Sequence, residues 1–222
     1  CSKQYADKPT IAFPTIILFF LTKYYRKVKN YAIIIVMNTI DTVFSTTQTI
    51  YLEDPFSNLT DILFFDIETT GLSPKTAAVY LIGCAFYADA TWRYRQFFAE
   101  TPAAEKEILQ EFLTFARAYA HVIHFNGSAF DIPFLQARCA KYMLSDFVPG
   151  SQYDIYRAIR PYKNLLHLPG CRQKQLEEYT GLYREDPFTG GQLIEIYKIY
   201  CETKDERLQK TLLLHNAEDL QG

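Results

Sequence analysis

Asp66 and Glu68 stand two residues apart at the end of an otherwise apolar run, Asp61-Ile-Leu-Phe-Phe-Asp-Ile67. If the run is a strand, residues i and i+2 point to one face, and the two carboxylates lie side by side. Neighbouring anions at a buried strand repel, and one stays protonated unless a cation sits between them. Hard divalent cations with oxygen ligands, Mg²⁺ or Mn²⁺, suit such a pair. By itself the pair also fits an ordinary polar strand end meeting a loop. Asp131 follows an Asn126-Gly127 turn. It fits a helix N-cap, with Pro133 in the first turn, or a loop carboxylate at the end of a central strand, where α/β sheets place their sites. His215 and Asp219 are four apart on a helical stretch, so they share a face; a solvated helix face is the plainer alternative. Glu218 and Asp205 on the same segment read as bystanders. Taken together, Asp66, Glu68, Asp131 and Asp219 can converge as ligands of two ions about 3.5–4 Å apart, the arrangement for in-line attack on a phosphodiester.

The elements that must position these groups follow from pattern. Residues 61–67 read as a buried strand, and Thr69-Thr-Gly-Leu-Ser-Pro74 as a loop. Val79–Tyr87 and Thr91–Ala99 read as two strands joined by a turn at Ala88–Ala90. Thr101-Pro102 opens a helix whose stripe is Ile108, Phe112, Phe115 and Tyr119. His121–Phe125 is a fourth strand, and a helix runs from about Asp131 to Tyr142. Residues 150–157 fit a fifth strand or a short helix. From residue 173 the chain reads as helices broken at Gly181 and at Asp186–Gly191. The order implies an α/β domain with a central mixed five-stranded sheet flanked by helices.

Composition bounds the rest. The chain has 222 residues, 49% hydrophobic and 22% charged, which excludes wholesale disorder. A net charge of −2 excludes a protein that holds nucleic acid by global charge alone. Five widely spread Cys without C-x-x-C argue against a disulfide scaffold or a zinc site, and for a reducing, cytoplasmic setting. Residues 1–36 carry six basic groups and one acid, against 17 basic and 24 acidic groups in the remainder. This shift places a boundary near Met37. The first segment reads as a non-native upstream translation or fragment junction, with a structural extension or a membrane-surface anchor as alternatives. Its apolar run, Ile11–Leu21, is short of the roughly 20 residues a bilayer span needs, and no membrane partner is expected. Residues 37–60 read as a lead-in and 61–222 as the main domain. With Gly222 only three residues beyond Asp219, the C-terminus reads as truncated.

Phe65-Asp-Ile-Glu-Thr-Thr-Gly-Leu72 resembles the first motif of the DnaQ-like, or DEDD, exonuclease superfamily. His124-Phe-Asn-Gly-Ser-Ala-Phe-Asp-Ile-Pro-Phe-Leu135 resembles its second, and His215-Asn-Ala-Glu-Asp219 its third. Val79-Tyr-Leu-Ile-Gly83, Gly190-Gly191 and H-N-x-x-D are similar to the YprB-type RNase H-like branch. The resemblance implies an RNase H-like fold. It also implies a metal-dependent 3′→5′ exonuclease on single-stranded DNA or RNA, with two Mg²⁺ or Mn²⁺ ions on Asp66, Glu68, Asp131 and Asp219. His215 would orient or deprotonate the attacking water, although its spacing is that of the superfamily's tyrosine variants. Thr69, Thr70 and Leu72 would touch the 3′-terminal nucleotide, and Asn126 and Phe130 would line the floor. The alternatives are a structure-specific endonuclease on the same fold and a catalytically weak nucleic-acid-binding module.

Two further signals complete the reading. His121 and His124 are read as structural. Ile155 to Leu176 contains Arg157, Arg160, Lys163, Arg172 and Lys174 and no acid. It is a candidate track for a nucleic-acid backbone, or a plain basic helix face.

Overall fold

The apolar run that ends in Asp66 and Glu68 forms a strand, β2 (Ile62–Thr69), inside a mixed sheet. In this computed structural model, residues 37–44 and 58–222 are described, and the expected N-terminal segment 1–36 lies outside them. The other strands are β1 (Met37–Phe44), β3 (Val79–Ala88), β4 (Thr91–Ala99), β5 (His121–His124) and β6 (Ser151–Asp154), in the order β1-β4-β3-β2-β5-β6. The first four pair antiparallel, and β5 and β6 join parallel beside β2.

Among the described residues the sheet has six strands, not the expected five. The additional one is β1, paired along the whole of β4 from Met37↔Ala99 to Phe44↔Trp92. Its sequence, MNTIDTVF, lacks the apolar alternation of a half-buried strand because it covers an edge. The Arg95 guanidinium donates twice to the Asp41 carboxylate across this pair, at 2.6 Å each. Residues 150–157 resolve into both options: β6 ends at Asp154, whose side chain accepts from Arg157 N and starts a short helix, α3 (Ile155–Ile159).

The helices are α1 (Glu105–Ala116), α2 (Asp131–Lys141), α4 (Gln173–Thr180), α5 (Gly190–Thr203) and α6 (Glu206–Gln221). Gly181 ends α4 in the left-handed conformation, φ 83°, as its position suggests. A break between α5 and α6 at Lys204–Asp205 was not expected. It forms because Asp205, far from a bystander, accepts from Arg207 N and caps α6.

Helices cover both faces of the sheet. On one face Leu63, Phe65 and Ile67 of β2 pack with Ile108, Leu109 and Phe112 of α1 and Phe134 and Leu135 of α2. On the other, Leu81 and Phe98 pack with Leu193 and Tyr197 of α5 and Leu212 of α6. The alternation of β2 therefore turns Asp66 and Glu68 toward α6.

One buried ion pair locks the loop that follows β2. The Glu105 carboxylate is fully buried. It accepts from Val79 N at 2.8 Å, from Arg138 Nε at 2.7 Å and Nη2 at 2.5 Å, and from the Tyr142 hydroxyl at 2.8 Å. Arg138 Nη1 donates onward to the Pro74 carbonyl at 2.8 Å. Removing one partner strands a buried charge, so Arg138→Met is expected to cost about 3–5 kcal/mol in urea unfolding. The double change of Glu105 and Arg138 to Met is expected to recover much of that loss. A single-variant cost under about 1 kcal/mol would contradict this role.

Candidate active site

Asp66 meets α6 through a chain of amides. Asn216 Nδ2 donates to Asp66 Oδ2 at 2.9 Å, and Gln96 Nε2 donates to Asn216 Oδ1 at 2.9 Å and to the Leu213 carbonyl at 2.8 Å. Gly83 pairs with Asp66 across the strands. A Cβ on Gly83 would lie 1.9 Å from Asn216 Oδ1. Only glycine lets α6 approach closely enough to place Asn216 on Asp66.

Glu68, His215 and Asp219 form the tightest group of possible metal ligands among the described residues, with ligand atoms all within 4.8 Å of one another. His215 Nε2 is 3.2 Å from Asp219 Oδ2 and 3.7 Å from Glu68 Oε1. The four-residue spacing thus brings His215 and Asp219 together as expected, and His215 is buried, not on a solvated face. Asp66 and Asp131 complete the acid cluster around this group, close enough for their charges to act on their neighbours.

Asp131 is the first residue of α2 and makes no side-chain cap of that helix, contrary to the N-cap alternative. Its Oδ1 accepts from Ile67 N at 3.2 Å. The parallel ladder between β2 and β5 covers only Ile62–Phe64, so beyond it Asp131 takes the place of the missing strand.

Three participants are not among the residues expected at the site. Asp186, in the loop before α5, holds His215 Nδ1 at 2.5 Å. Its own Oδ1 accepts from Phe188 N, and Lys174 Nζ lies 3.3 Å from Oδ2. Glu218 is no bystander: its carboxylate accepts from Glu185 N and Asp186 N and pins that loop. Arg184 is the third. Nη1 lies 2.6 Å from Asp219 Oδ1 as an ion pair, without the alignment of a hydrogen bond. The rest of its guanidinium donates twice to buried Glu177 at 2.5 Å. Asn216 was within the quoted H-N-x-x-D pattern, but Asp186 and Arg184 lie in a loop that reads only as a helix break.

The acids repel one another. Burial raises Asp66 well above the usual carboxylate range, and the charges of Asp219, Asp131 and Glu68 add to it. Burial likewise raises Glu68 to about 8, against the pull of His215. Burial raises Asp131 to about 7, offset by the Ile67 N–H. Asp219 moves the other way: burial opposes its charge, but the bond to His215 and the Arg184 guanidinium outweigh it. Burial lowers His215, yet Asp219, Glu68 and Asp186 raise it to about 9. At neutral pH the metal-free imidazole is a cation, not the free base that its ordinary value near 6.5 suggests.

The residues expected to meet substrate separate into two kinds. Leu72 is 83% exposed on the loop after β2. The Thr69 hydroxyl donates to the Gly71 carbonyl, and the Thr70 hydroxyl accepts from Ala78 N, so both shape that loop. Asn126 adopts φ 58°, and its N–H donates to Asp154 Oδ1. Phe130 packs against Phe134 at 5.4 Å. Arg157, Arg160 and Lys163 are exposed along α3 and the turn after it. Arg157 Nε is 3.6 Å from Asp154. Lys174 leaves the track and serves Asp186 and the Phe188 carbonyl instead. His124 is buried and accepts from Gly127 N, while His121 meets Ser151, as structural residues do.

A family model, RNase_H_2 of the RNase_H superfamily, matches residues 63–221. The chain belongs to the RNase H superfamily. Among solved structures, this RNase H superfamily chain is similar in fold to the family B DNA polymerase of the hyperthermophilic archaeon Pyrobaculum calidifontis. The identity is 16% and the TM-score 0.59, over 76% of this chain and 24% of the polymerase. Apo exonuclease I matches at 13% identity and TM-score 0.46, over 56% of this chain and 38% of that one. The zinc-bound E. coli exonuclease I–single-stranded DNA complex matches at 14% and 0.45, over 69% and 43%. The chain thus spans less than half the length of each of these proteins. No curated protein matches it. No helix among the described residues is long and apolar enough to cross a membrane.

The raised acids set the pH dependence of the metal-free protein. In the folded state Asp131 and Glu68 hold protons up to about 7 and about 8, and His215 up to about 9. Unfolded, the acids release theirs near 4 and the imidazole near 6.5. The fold therefore binds the extra protons, and stability falls as pH rises from about 5 to 9. Melting temperature in chelator is expected to drop across this window, and added Mn²⁺ to remove most of the drop. A metal-free melting temperature that rises with pH would contradict the assignment.

Proposed function

We propose that this domain hydrolyses phosphodiester bonds of single-stranded DNA or RNA from the 3′ end, as a metal-dependent DEDD exonuclease of the YprB type. The observation that carries the proposal is the acid cluster itself. Asp66, Glu68 and Asp131 are held together on two elements against burial and mutual repulsion, beside a His215–Asp219 pair on one helical turn. The donor set is three aspartates, a glutamate and one imidazole, and it suits Mg²⁺ or Mn²⁺. Asp66, Glu68, Asp131 and Asp219 would hold two such ions, which supply Lewis acidity toward water and phosphate.

The chain's own groups do the remainder. Asp186 ties His215 Nδ1, so Nε2 is the imidazole atom that faces Glu68 and Asp219. Only the neutral imidazole can take a proton from the attacking water, and it would take it at Nε2. Asn216 orients Asp66, and the Ile67 N–H orients Asp131. Exposed Leu72 meets the terminal base, Asn126 and Phe130 line the floor, and Arg157, Arg160 and Lys163 hold the backbone upstream. A second reading, a binding module of weak turnover, draws on Arg184: it neutralises Asp219 and competes with any cation there.

Single-turnover assays on 5′-labelled single strands of DNA and RNA test the proposal. Wild-type protein with Mg²⁺ is expected to shorten the strand stepwise from its 3′ end, and excess chelator to stop it. Asp66→Asn is expected to abolish cleavage, and His215→Ala to slow it by about 10²-fold. Reversing Arg157, Arg160 and Lys163 to Glu is expected to flatten the salt dependence of binding. Near-normal cleavage by Asp66→Asn would contradict the catalytic assignment. Binding without cleavage by the wild type would support the module, and cuts within a 3′-blocked strand an endonuclease.

A further inference from the structure

The pairing of β2 with β3 is regular from Leu63↔Phe86 to Glu68↔Leu81, and the next pair is Thr69↔Val79. Tyr80 is the extra residue, a β-bulge directly beside Glu68. Bulges re-aim side chains, and this one has that effect. Val79 and Ile82 enter the core under α1, whereas Tyr80 joins Leu81 in the cluster under α5 and α6. Tyr80 thereby moves to the sheet face that carries the acids. Its ring is fully buried and stacks on Tyr197, with centroids 4.1 Å apart and planes at 13°.

The Tyr80 hydroxyl is buried without a hydrogen-bond partner among the described residues. The second ring of the stack shows what a structural tyrosine does there: Tyr197 donates to the Ala99 carbonyl at 2.9 Å. Buried hydroxyls are normally partnered, and an orphan needs a reason. The bulge sets Tyr80 across the strands from Glu68, between the pairs Glu68↔Leu81 and Thr69↔Val79. A phenol is protonated at neutral pH. It can therefore donate to a carboxylate.

We propose that Tyr80 is a positioning residue whose hydroxyl donates to the Glu68 carboxylate when that carboxylate holds a divalent cation. This rests on the cation-site reading given above. Ligating carboxylates are commonly held by such a hydrogen bond, and losing it typically weakens metal binding 10- to 100-fold.

Tyr80→Phe tests this, because it removes one oxygen and keeps the ring on Tyr197. Mn²⁺ binding to the full chain is measured by calorimetry, alongside the melting temperature in chelator. The expected result is about a 10-fold or greater loss of Mn²⁺ affinity, with a metal-free melting temperature unchanged or raised. Tyr197→Phe is the control: it loses a satisfied bond to Ala99, and is expected to melt lower while binding Mn²⁺ as the wild type does. Equal Mn²⁺ affinity in wild type and Tyr80→Phe would overturn the role of Tyr80 and leave the cation site standing. Equal weakening in the Tyr197→Phe control would overturn it too, since disturbance of the stack would then suffice. A wild type that binds no Mn²⁺ would overturn the cation site itself, and this role with it.

Discussion

Carboxylates that share a buried pocket cannot all carry charge without a counter-ion, and the structure is arranged around that constraint. A strand inside a sheet with both faces covered is where an acid is hardest to ionise, yet Asp66 and Glu68 are placed on one. The alternation of β2 gives Leu63, Phe65 and Ile67 to one core and turns the acids to the other face. Gly83 clears the space for α6 to approach, and α6 then delivers Asn216, His215 and Asp219 to the acids. The buried Glu105–Arg138 pair fixes the loop that leaves the site. Each of these features makes the crowding of acids more rigid, where a fold selected for stability alone would disperse them.

In the metal-free state the protein supplies its own counter-charge. Among the described residues, two cations point into the cluster: the His215 imidazolium and the Arg184 guanidinium. Both contact Asp219, on different oxygens. Each is itself anchored from behind by a second acid, His215 by Asp186 and Arg184 by Glu177. This explains why Asp219 is held low while Asp66 rises well above the usual range. On the proposed function, metal ions entering the cluster would exchange one set of positive charges for another.

Much of this was legible in the sequence. The short apolar run, the i,i+2 pair and the i,i+4 pair report local geometry, and local geometry survives into the fold. β3, β4, most of the helices and the meeting of His215 with Asp219 follow from such periodicities. What escaped is what depends on tertiary approach. β1 is an edge strand, half exposed and polar, so it has no period-2 signal. Asp186 and Arg184 sit in an irregular loop, where neither spacing nor propensity says which way a side chain turns. Asp131 reads as a helix cap by its position, and its use by Ile67 depends on where the β5 ladder stops. His215 was legible as a candidate beside Asp219, but its protonation was not, because Glu68 and Asp186, distant in sequence, also act on it.

The central claim is that the acid cluster is a cation site. Anomalous diffraction from crystals of the protein soaked in Mn²⁺ tests it directly. The account predicts strong anomalous density among Asp66, Glu68, Asp131 and Asp219, absent from crystals soaked in chelator. Mn²⁺ bound only elsewhere, with the cluster empty and Arg184 and His215 still seated on Asp219, would contradict it.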